Sequence, residues 1–169
     1  MELHLKPISK GGIPAALSKI EVYRYLNEPG EAESICRDIL TIEPDNQEAL
    51  RLLALSITDQ FTGHSSDRYA EARDTFQRLS DPYQRIYHLG ILDERKAKAQ
   101  LKAGVPPHTV LPTFEGAMDC FQQAANIRPP DNDDAILRWN RCVRLLQSRV
   151  GPDWQKEMEE FDASEGPPV

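Results

Sequence analysis

The sequence predicts an all-α fold, and three observations lead to this class. Residues that favour helices dominate the 169-residue chain, while the alternating patterns of strands are nearly absent. Proline and glycine divide the chain into segments of helical length. Most of these divisions also hold residues that begin or end helices, such as Asp81 followed by Pro82. A chain of this size is long enough to bury a core within a single domain.

The divisions predict seven helices. Asp45 or Asn46 is expected to cap the third helix, because either side chain can accept hydrogen bonds from the first backbone N–H groups. Asp81 and Thr113 are expected to cap the fifth and sixth helices in the same way. The proline-rich segment 105–112 is predicted to be a loop. The predicted helices cover residues 13–26, 31–42, 47–60, 66–79, 82–103, 113–127 and 132–149.

An alanine recurs in the same register in the second, fourth and sixth predicted helices. In each helix the residues four and seven positions after this alanine fall on its face of the helix. A small alanine lets two helices approach closely, and the larger residues one turn on fill the groove beside it. The three sets are Ala32, Cys36 and Ile39; Ala72, Phe76 and Leu79; and Ala117, Phe121 and Ala124.

Two segments of the chain resemble the second helix and closing turn of a tetratricopeptide repeat. They are GEAESICRDILTIEPDN at residues 30–46 and FEGAMDCFQQAANIRPPDN at residues 114–132. The pair Leu89 and Gly90 is similar to the leucine–glycine step in the first helix of that family. The resemblance implies a right-handed superhelix of antiparallel helical hairpins, formed by about three repeats and a capping helix. The alternative is a generic helical bundle in which the same residues simply pack together.

The resemblance divides the chain into three parts. Residues 1–12 form an N-terminal extension, residues 13–149 the repeat domain, and residues 150–169 an acidic tail or short extra helix. Relative to the family's repeat, the residues inserted in this domain fall at 62–67 and 98–112, where repeats tolerate insertions.

The resemblance also implies a function, because the first helices of such repeats line a concave groove that receives a peptide or a partner helix. A protein with this groove would act as a scaffold or adaptor. Arginine and tyrosine tend to dominate the energy of such interfaces. The alternative is that these residues form an ordinary solvated face. The candidate groove residues are Arg24, Tyr25, Arg51, Leu55, Tyr87, His88, Ile91, Arg95, Asn140 and Arg144.

The C-terminal segment 153–169 is strongly acidic, with six acidic residues and one lysine. Trp154, Met158 and Phe161 are spaced about one turn apart, as on one face of a short amphipathic helix. One interpretation is a last helix that folds back as an added cap. The other is an internal competitor that occupies the arginine-bearing groove of its own or a neighbouring copy, which would allow self-association through the tail.

Composition argues against several classes of partner. The formal net charge of −7 argues against nucleic-acid binding, which needs a basic face. No run approaches 18 apolar residues, so we expect no membrane span, and the N-terminus lacks the apolar stretch of a signal peptide. The expected compartment is the cytoplasm. Cys36, Cys120 and Cys142 are widely spaced and odd in number, which favours reduced structural thiols over disulfides.

No pattern in the sequence predicts catalysis, a cofactor or a metal site. The four histidines lack the spacing of metal ligands, and the acidic run at 131–134 is explained as a helix start rather than a calcium loop. Glycine-rich phosphate loops and GxSxG are absent from the sequence. Two alternatives stay open: a regulatory helical domain that binds a small ligand in a pocket under the loop 105–112, and a weak enzyme on a helical scaffold.

Overall fold

The computed structural model describes residues 3–150, without the side chains of residues 149 and 150. Within this range the chain is all-helical and contains no strand, which confirms the predicted class. Residues 1–2 and the acidic tail from residue 151 onward lie outside the described residues, and so do both interpretations of the tail, as an added cap or as an internal competitor. A short 3-10 helix, Lys10–Gly12, precedes the α-helices. These are α1 Ile13–Tyr25, α2 Pro29–Ile42, α3 Gln47–Asp59, α4 Tyr69–Gln77, α5 Pro82–Lys102, α6 Pro107–Asn126 and α7 Asp134–Val150.

Two of the predicted capping residues, Asn46 and Asp81, cap their helices in the structure. The side chain of Asn46 caps α3 by accepting a hydrogen bond from the backbone N–H of Ala49 at 2.9 Å. The side chain of Asp81 caps α5 by accepting from the backbone N–H of Gln84 at 2.7 Å. The bounds of α1–α5 and α7 lie within three residues of the predicted segments, because these segments are delimited by local chemistry.

Helix α6 is where the prediction is wrong. The helix begins at Pro107, so most of the segment 105–112 is helical rather than a loop, and Thr113 lies inside the helix rather than at its cap. Val110 and Leu111 are buried in the core, and this burial offsets the backbone hydrogen bond that Pro112 removes within the helix. The loop required by the small-ligand alternative is therefore not present.

Each helix packs against the next one along the chain, and neighbouring helices run in opposite directions. Gln60, just after α3, donates to the carboxylate of Glu33 near the start of α2 at 2.8 Å. Arg78, just after α4, donates to the carbonyl oxygen of Pro44 before α3 at 2.5 Å. Each of these contacts joins the end of one helix to the beginning of its neighbour.

The odd-numbered helices lie side by side and run in the same direction. Arg24 and Asp59, at the ends of α1 and α3, are joined by a hydrogen bond of 2.7 Å. The backbone N–H of Ser80, just before α5, donates to Gln47 at the start of α3 at 2.8 Å. Tyr83, at the start of α5, donates from its hydroxyl to Asn132, just before α7, at 2.9 Å. These four helices therefore present a common surface.

The recurrent alanines occupy the places predicted for them. Ala32, Ala72 and Ala117 have no exposed surface, and they lie in one hydrophobic core with Phe76 and Phe121. Because alanine is small, the backbones of neighbouring helices approach closely at these positions. The register read from the sequence is therefore the register of the core.

Helices α5 and α6 contact each other closely at Gly90 of α5. A Cβ atom at this position would lie 2.7 Å from Cε1 of Phe121 on α6, closer than van der Waals contact permits. Only glycine fits between α5 and α6 here without displacement of the phenylalanine ring. The leucine–glycine pair singled out in the sequence thus has a packing reason.

Glu33 of α2, a nearly buried carboxylate, is the centre of an ionic cluster whose arginines are partly exposed. Its carboxylate accepts hydrogen bonds from Arg68 at 2.5 Å and from Arg37 at 2.6 Å, as well as from Gln60. The hydrogen bond from Arg68 is the main reason that the pKa of Glu33 falls to about 2. Arg68 precedes α4, so the cluster ties α2 to the connection between α3 and α4.

Candidate functional site

A groove of about 720 Å³ runs along the surface formed by the odd-numbered helices. Helices α1, α3, α5 and α7 and the turn before α5 all contribute side chains to its lining. Its lining residues on α5 run from Gln84 to Arg95, which lie about 17 Å apart along the helix. The lining includes seven of the ten residues proposed from the sequence: Arg24, Arg51, Leu55, Tyr87, His88, Ile91 and Arg95.

The other three proposed residues lie elsewhere. Tyr25 is 89% exposed and lines a smaller neighbouring pocket with Arg24. Asn140 and Arg144 belong to α7 but do not line the groove, to which α7 contributes Asp134 and Arg138. Residues two and six positions after Arg138 point to other sides of the helix, since each residue turns the helix by about 100°.

The groove is polar at both ends and apolar between them. Because α3 and α5 run in the same direction, Leu55 and Ile91 meet about halfway along it, and both are almost completely buried. The acidic residues of the lining belong to the beginnings of three helices: Glu48 of α3, the α5 cap Asp81, and Asp134 of α7. These carboxylates therefore collect at one end, which is the end where the helices begin.

Four arginines line the groove, one from each odd-numbered helix. They are Arg24, Arg51, Arg95 and Arg138. A guanidinium group presents five N–H donors and suits the binding of carboxylates. The contacts of each arginine within the protein decide which of these donors a ligand can reach.

Arg24 and Arg95 share the carboxylate of Asp59. Arg24 donates to it at 2.7 Å and Arg95 at 2.5 Å. Arg95 also donates to the hydroxyl of Thr58 at 2.5 Å and to the carbonyl oxygen of Leu55 at 3.1 Å. Burial lowers the pKa of Arg95. These two arginines hold α1, α3 and α5 together at one end of the groove.

Arg138 is engaged with Glu94 of α5. The Glu94 side chain is completely buried, and its carboxylate accepts from Arg138 at 3.3 Å and pairs with Lys98 as well. A buried carboxylate needs such partners, because the loss of its hydration is unfavourable. Arg138 thereby ties α7 to α5 while a third of its side chain stays exposed in the groove.

Arg51 has the weakest contacts of the four within residues 3–150. Its ion pair is with Glu48, one turn earlier on α3, at 3.9 Å, which is too long for a hydrogen bond. Its side chain is 30% exposed and lines the groove. The guanidinium group of Arg51 can therefore turn its donors toward a ligand without breaking a strong contact of the fold.

His88 contributes a neutral ring to the groove. Its Nδ1 lies 2.7 Å from the carbonyl oxygen of Gln84, so this nitrogen carries the proton and donates it. Burial lowers the pKa of His88 to about 4, so the ring is uncharged at neutral pH. The ring centres of Phe76 and Tyr87 lie 5.3 and 5.1 Å from that of His88, which fixes its orientation.

The three cysteines are free thiols in apolar surroundings. Cys36 and Cys142 are buried, and Cys120 is partly buried. Burial raises the pKa of Cys36 to about 12 and that of the other two thiols to about 11. At neutral pH they are protonated and therefore poor nucleophiles, as expected of structural cysteines.

Residues 3–150 contain no group of three or more His, Cys, Asp or Glu side chains arranged to hold a metal ion. Over the same residues, no helix combines the length and the apolar character needed to cross a bilayer.

Comparison with protein-family models, with curated proteins and with solved structures finds no match to this chain. The resemblance to tetratricopeptide repeats therefore stays a prediction that depends on the residues of the sequence. Residues 3–150 form an all-helical fold, and the groove is known from the structure of this chain and not from a related protein.

Proposed function

We propose that this protein is an interaction module, with a scaffold or adaptor role, that binds a peptide segment or helix of another protein in the groove. The observation that carries the proposal is the composition of the groove. One arginine from each odd-numbered helix surrounds an apolar centre formed by Leu55 and Ile91. Protein interfaces commonly combine a buried apolar centre with arginine and tyrosine contacts.

The packing of the helices supports a tetratricopeptide-like architecture. In that architecture the first helices of successive hairpins lie side by side in the same direction and line the concave face, as α1, α3, α5 and α7 do here. The proposed repeats are α1 with α2, α3 with α4, and α5 with α6, with α7 as the cap. Under this proposal the hairpins form a right-handed superhelix.

The dimensions of the groove favour a polypeptide. The length of about 17 Å between Gln84 and Arg95 along α5 corresponds to about five residues of extended chain. Side-chain amides of the lining, such as that of Gln84, can form hydrogen bonds with the backbone of such a chain.

The small-ligand alternative lacks the loop it required, because that segment is helical from Pro107. Three free thiols are consistent with a protein that works in the reducing cytoplasm.

Affinity capture from a lysate of the native cell tests the proposal. The intact chain is compared with Arg51→Glu, which reverses a groove charge without breaking a strong contact of the fold. Arg73→Glu is the matched control, because Arg73 is an exposed arginine of α4 that pairs only with its neighbour Asp74 among the described ion pairs. Circular dichroism first establishes that all three proteins are folded.

The proposal predicts a partner that is captured by the intact chain and by Arg73→Glu but lost with Arg51→Glu. Equal capture by all three proteins would contradict it and would move the binding surface away from the groove. Failure of the intact chain to capture any specific partner would count against a protein ligand and in favour of a small one.

A further inference from the structure

We propose that the groove is occupied, in the free protein, by the acidic segment at residues 153–162 of the same chain. The inference rests on the proposed function, since it takes the groove to be the binding surface. It adds a regulatory contact to that surface. A partner would have to displace this segment in order to bind.

Charge complementarity is the first argument. The segment 153–169 carries six acidic residues and one lysine, a charge of −5 out of the net −7 of the whole chain. Arg24 and Arg95 of the groove are engaged by Asp59, and Arg138 by Glu94, whereas Arg51 lacks a hydrogen-bonded carboxylate partner among the described residues. Carboxylates placed beside it would form charge-assisted hydrogen bonds, which are stronger than those between neutral groups.

The apolar residues of the segment provide the second argument. Trp154, Met158 and Phe161 are separated by four and three residues. This is the spacing of residues that share one face of a helix. The centre of the groove presents Leu55 and Ile91 to such side chains. An acidic segment with this apolar spacing matches the apolar centre of the groove and Arg51, one turn before Leu55 on α3.

The third argument is that the chain after α7 is long enough to return to the groove. Arg138 lines the groove, and twelve further residues of α7 lead to its end at Val150, a distance of about 18 Å along the helix. About six extended residues span the same distance in return. Residues beyond about 156 can therefore come back to Arg138, and Glu157, Glu159 and Glu160 follow at that point.

Nuclear magnetic resonance of the full chain with labelled methyl groups tests this contact. The aromatic protons of Phe161, which lies beyond residue 156, should show nuclear Overhauser effects to the methyl groups of Leu55 and Ile91. The methyl groups of Ile39, which is buried on α2, serve as the internal control and should show none. The effects should not change when the protein is diluted tenfold.

Two variants of the full chain separate a specific contact from chance proximity. Arg51→Glu changes the groove, and Glu159→Lys with Glu160→Lys changes the segment, and each should abolish the effects while Arg73→Glu preserves them. The segment variant should also bind the captured partner more tightly, by about tenfold if the occupied form outnumbers the open form by about ten to one.

Three results would overturn the inference. Effects to Leu145 of α7 instead of the groove would show that the segment packs as a cap. Effects that weaken on dilution would show that it binds a second copy. An absence of effects to any methyl group would show no stable contact. If partner capture still depended on Arg51, only the inference about the tail would fail. If neither the nuclear Overhauser effects nor Arg51-dependent capture were observed, the inference and the proposed function would both fail.

Discussion

Arg95 of α5 donates a hydrogen bond of 2.5 Å to the carboxylate of Asp59 at the end of α3. The same carboxylate accepts from Arg24 of α1, so a single aspartate links three odd-numbered helices. Arg95 is buried enough that its pKa is lowered, which makes Asp59 important for its charge balance. With Arg138, which pairs with Glu94, three of the four groove arginines thus serve the structure of the groove, and Arg51 is the side chain best placed to meet a ligand.

We expect Asp59→Ala to destabilise the protein. The substitution leaves the partly buried guanidinium of Arg95 without its carboxylate, and the free energy of unfolding should fall by about 2 kcal/mol. Urea denaturation measures the change. Asp74→Ala is the control, because Asp74 forms an exposed pair with Arg73 and its removal should change stability by less than about 0.5 kcal/mol. Equal effects of the two substitutions would contradict the structural role of Asp59.

The close contact at Gly90 predicts opposite effects for two glycine substitutions. Gly90→Ala places a Cβ atom against the ring of Phe121 and should lower the free energy of unfolding by about 1–3 kcal/mol. At Gly116 of α6 the nearest atom to an added Cβ is a carboxylate oxygen of Asp93 at 3.4 Å. Gly116→Ala should therefore raise stability by about 0.5–1 kcal/mol through helix propensity. Thermal unfolding of both variants compares them directly, and a stable Gly90→Ala protein would contradict the packing.

Burial of His88 predicts that the protein loses stability in mild acid. Its pKa is about 4 in the folded protein and about 6.5 in an unfolded chain, so the unfolded state binds the additional proton as the pH falls below 6.5. This contribution should lower the free energy of unfolding by up to about 1.4 kcal/mol per pH unit down to pH 4. Urea denaturation between pH 7 and 4.5 measures the slope.

The substitution His88→Leu should reduce that slope, because the variant has no imidazole to protonate at this position. Measurements above pH 4.5 avoid the contribution of Glu33, whose pKa is lowered from 4.5 to about 2 and whose stabilisation is lost only as the pH falls below 4.5. An unchanged slope in His88→Leu would show that another group controls stability in this range.

Pro112 predicts a stabilising substitution in α6. It lies in the second turn of the helix, is exposed, and lacks the N–H group that would donate to the preceding turn. Pro112→Ala restores this donor and should raise the melting temperature. Pro107→Ala is the control, because proline suits the first turn of a helix and its replacement should bring no gain. A lower melting temperature for Pro112→Ala would contradict this account.

Local signals in the sequence were sufficient for most of the fold. Helix limits followed from proline, glycine and capping residues, and the alanine register correctly identified buried positions such as Ala72 and Phe76. The start of α6 could not be predicted in this way. Its helical form depends on the burial of Val110 and Leu111 against other helices, which overrides the local effect of the prolines.

The sequence predicted which helices line the groove but not the contacts that each residue makes. The resemblance placed the groove on the odd-numbered helices, and seven of the proposed residues line it. The groove-facing residues of α7 were assigned in the wrong register, so Arg138 was missed. The residue that indicates Arg138 is Glu94 of α5, whose buried carboxylate requires a cation from a neighbouring helix. The binding of Arg95 to Asp59 spans 36 residues of sequence, and only the packed structure reveals it.

The central claim is that the groove contacts a partner protein, and a photo-crosslinker placed in the groove tests it most directly. p-Benzoylphenylalanine replaces Gln84, which lines the groove, or Gln122, an exposed residue of α6 outside the groove lining. After irradiation in the native lysate, crosslinked proteins are identified by mass spectrometry. The account predicts one specific crosslinked protein from position 84, absent from position 122 and removed by Arg51→Glu. The same protein crosslinked equally from both positions, or from position 122 alone, would contradict it.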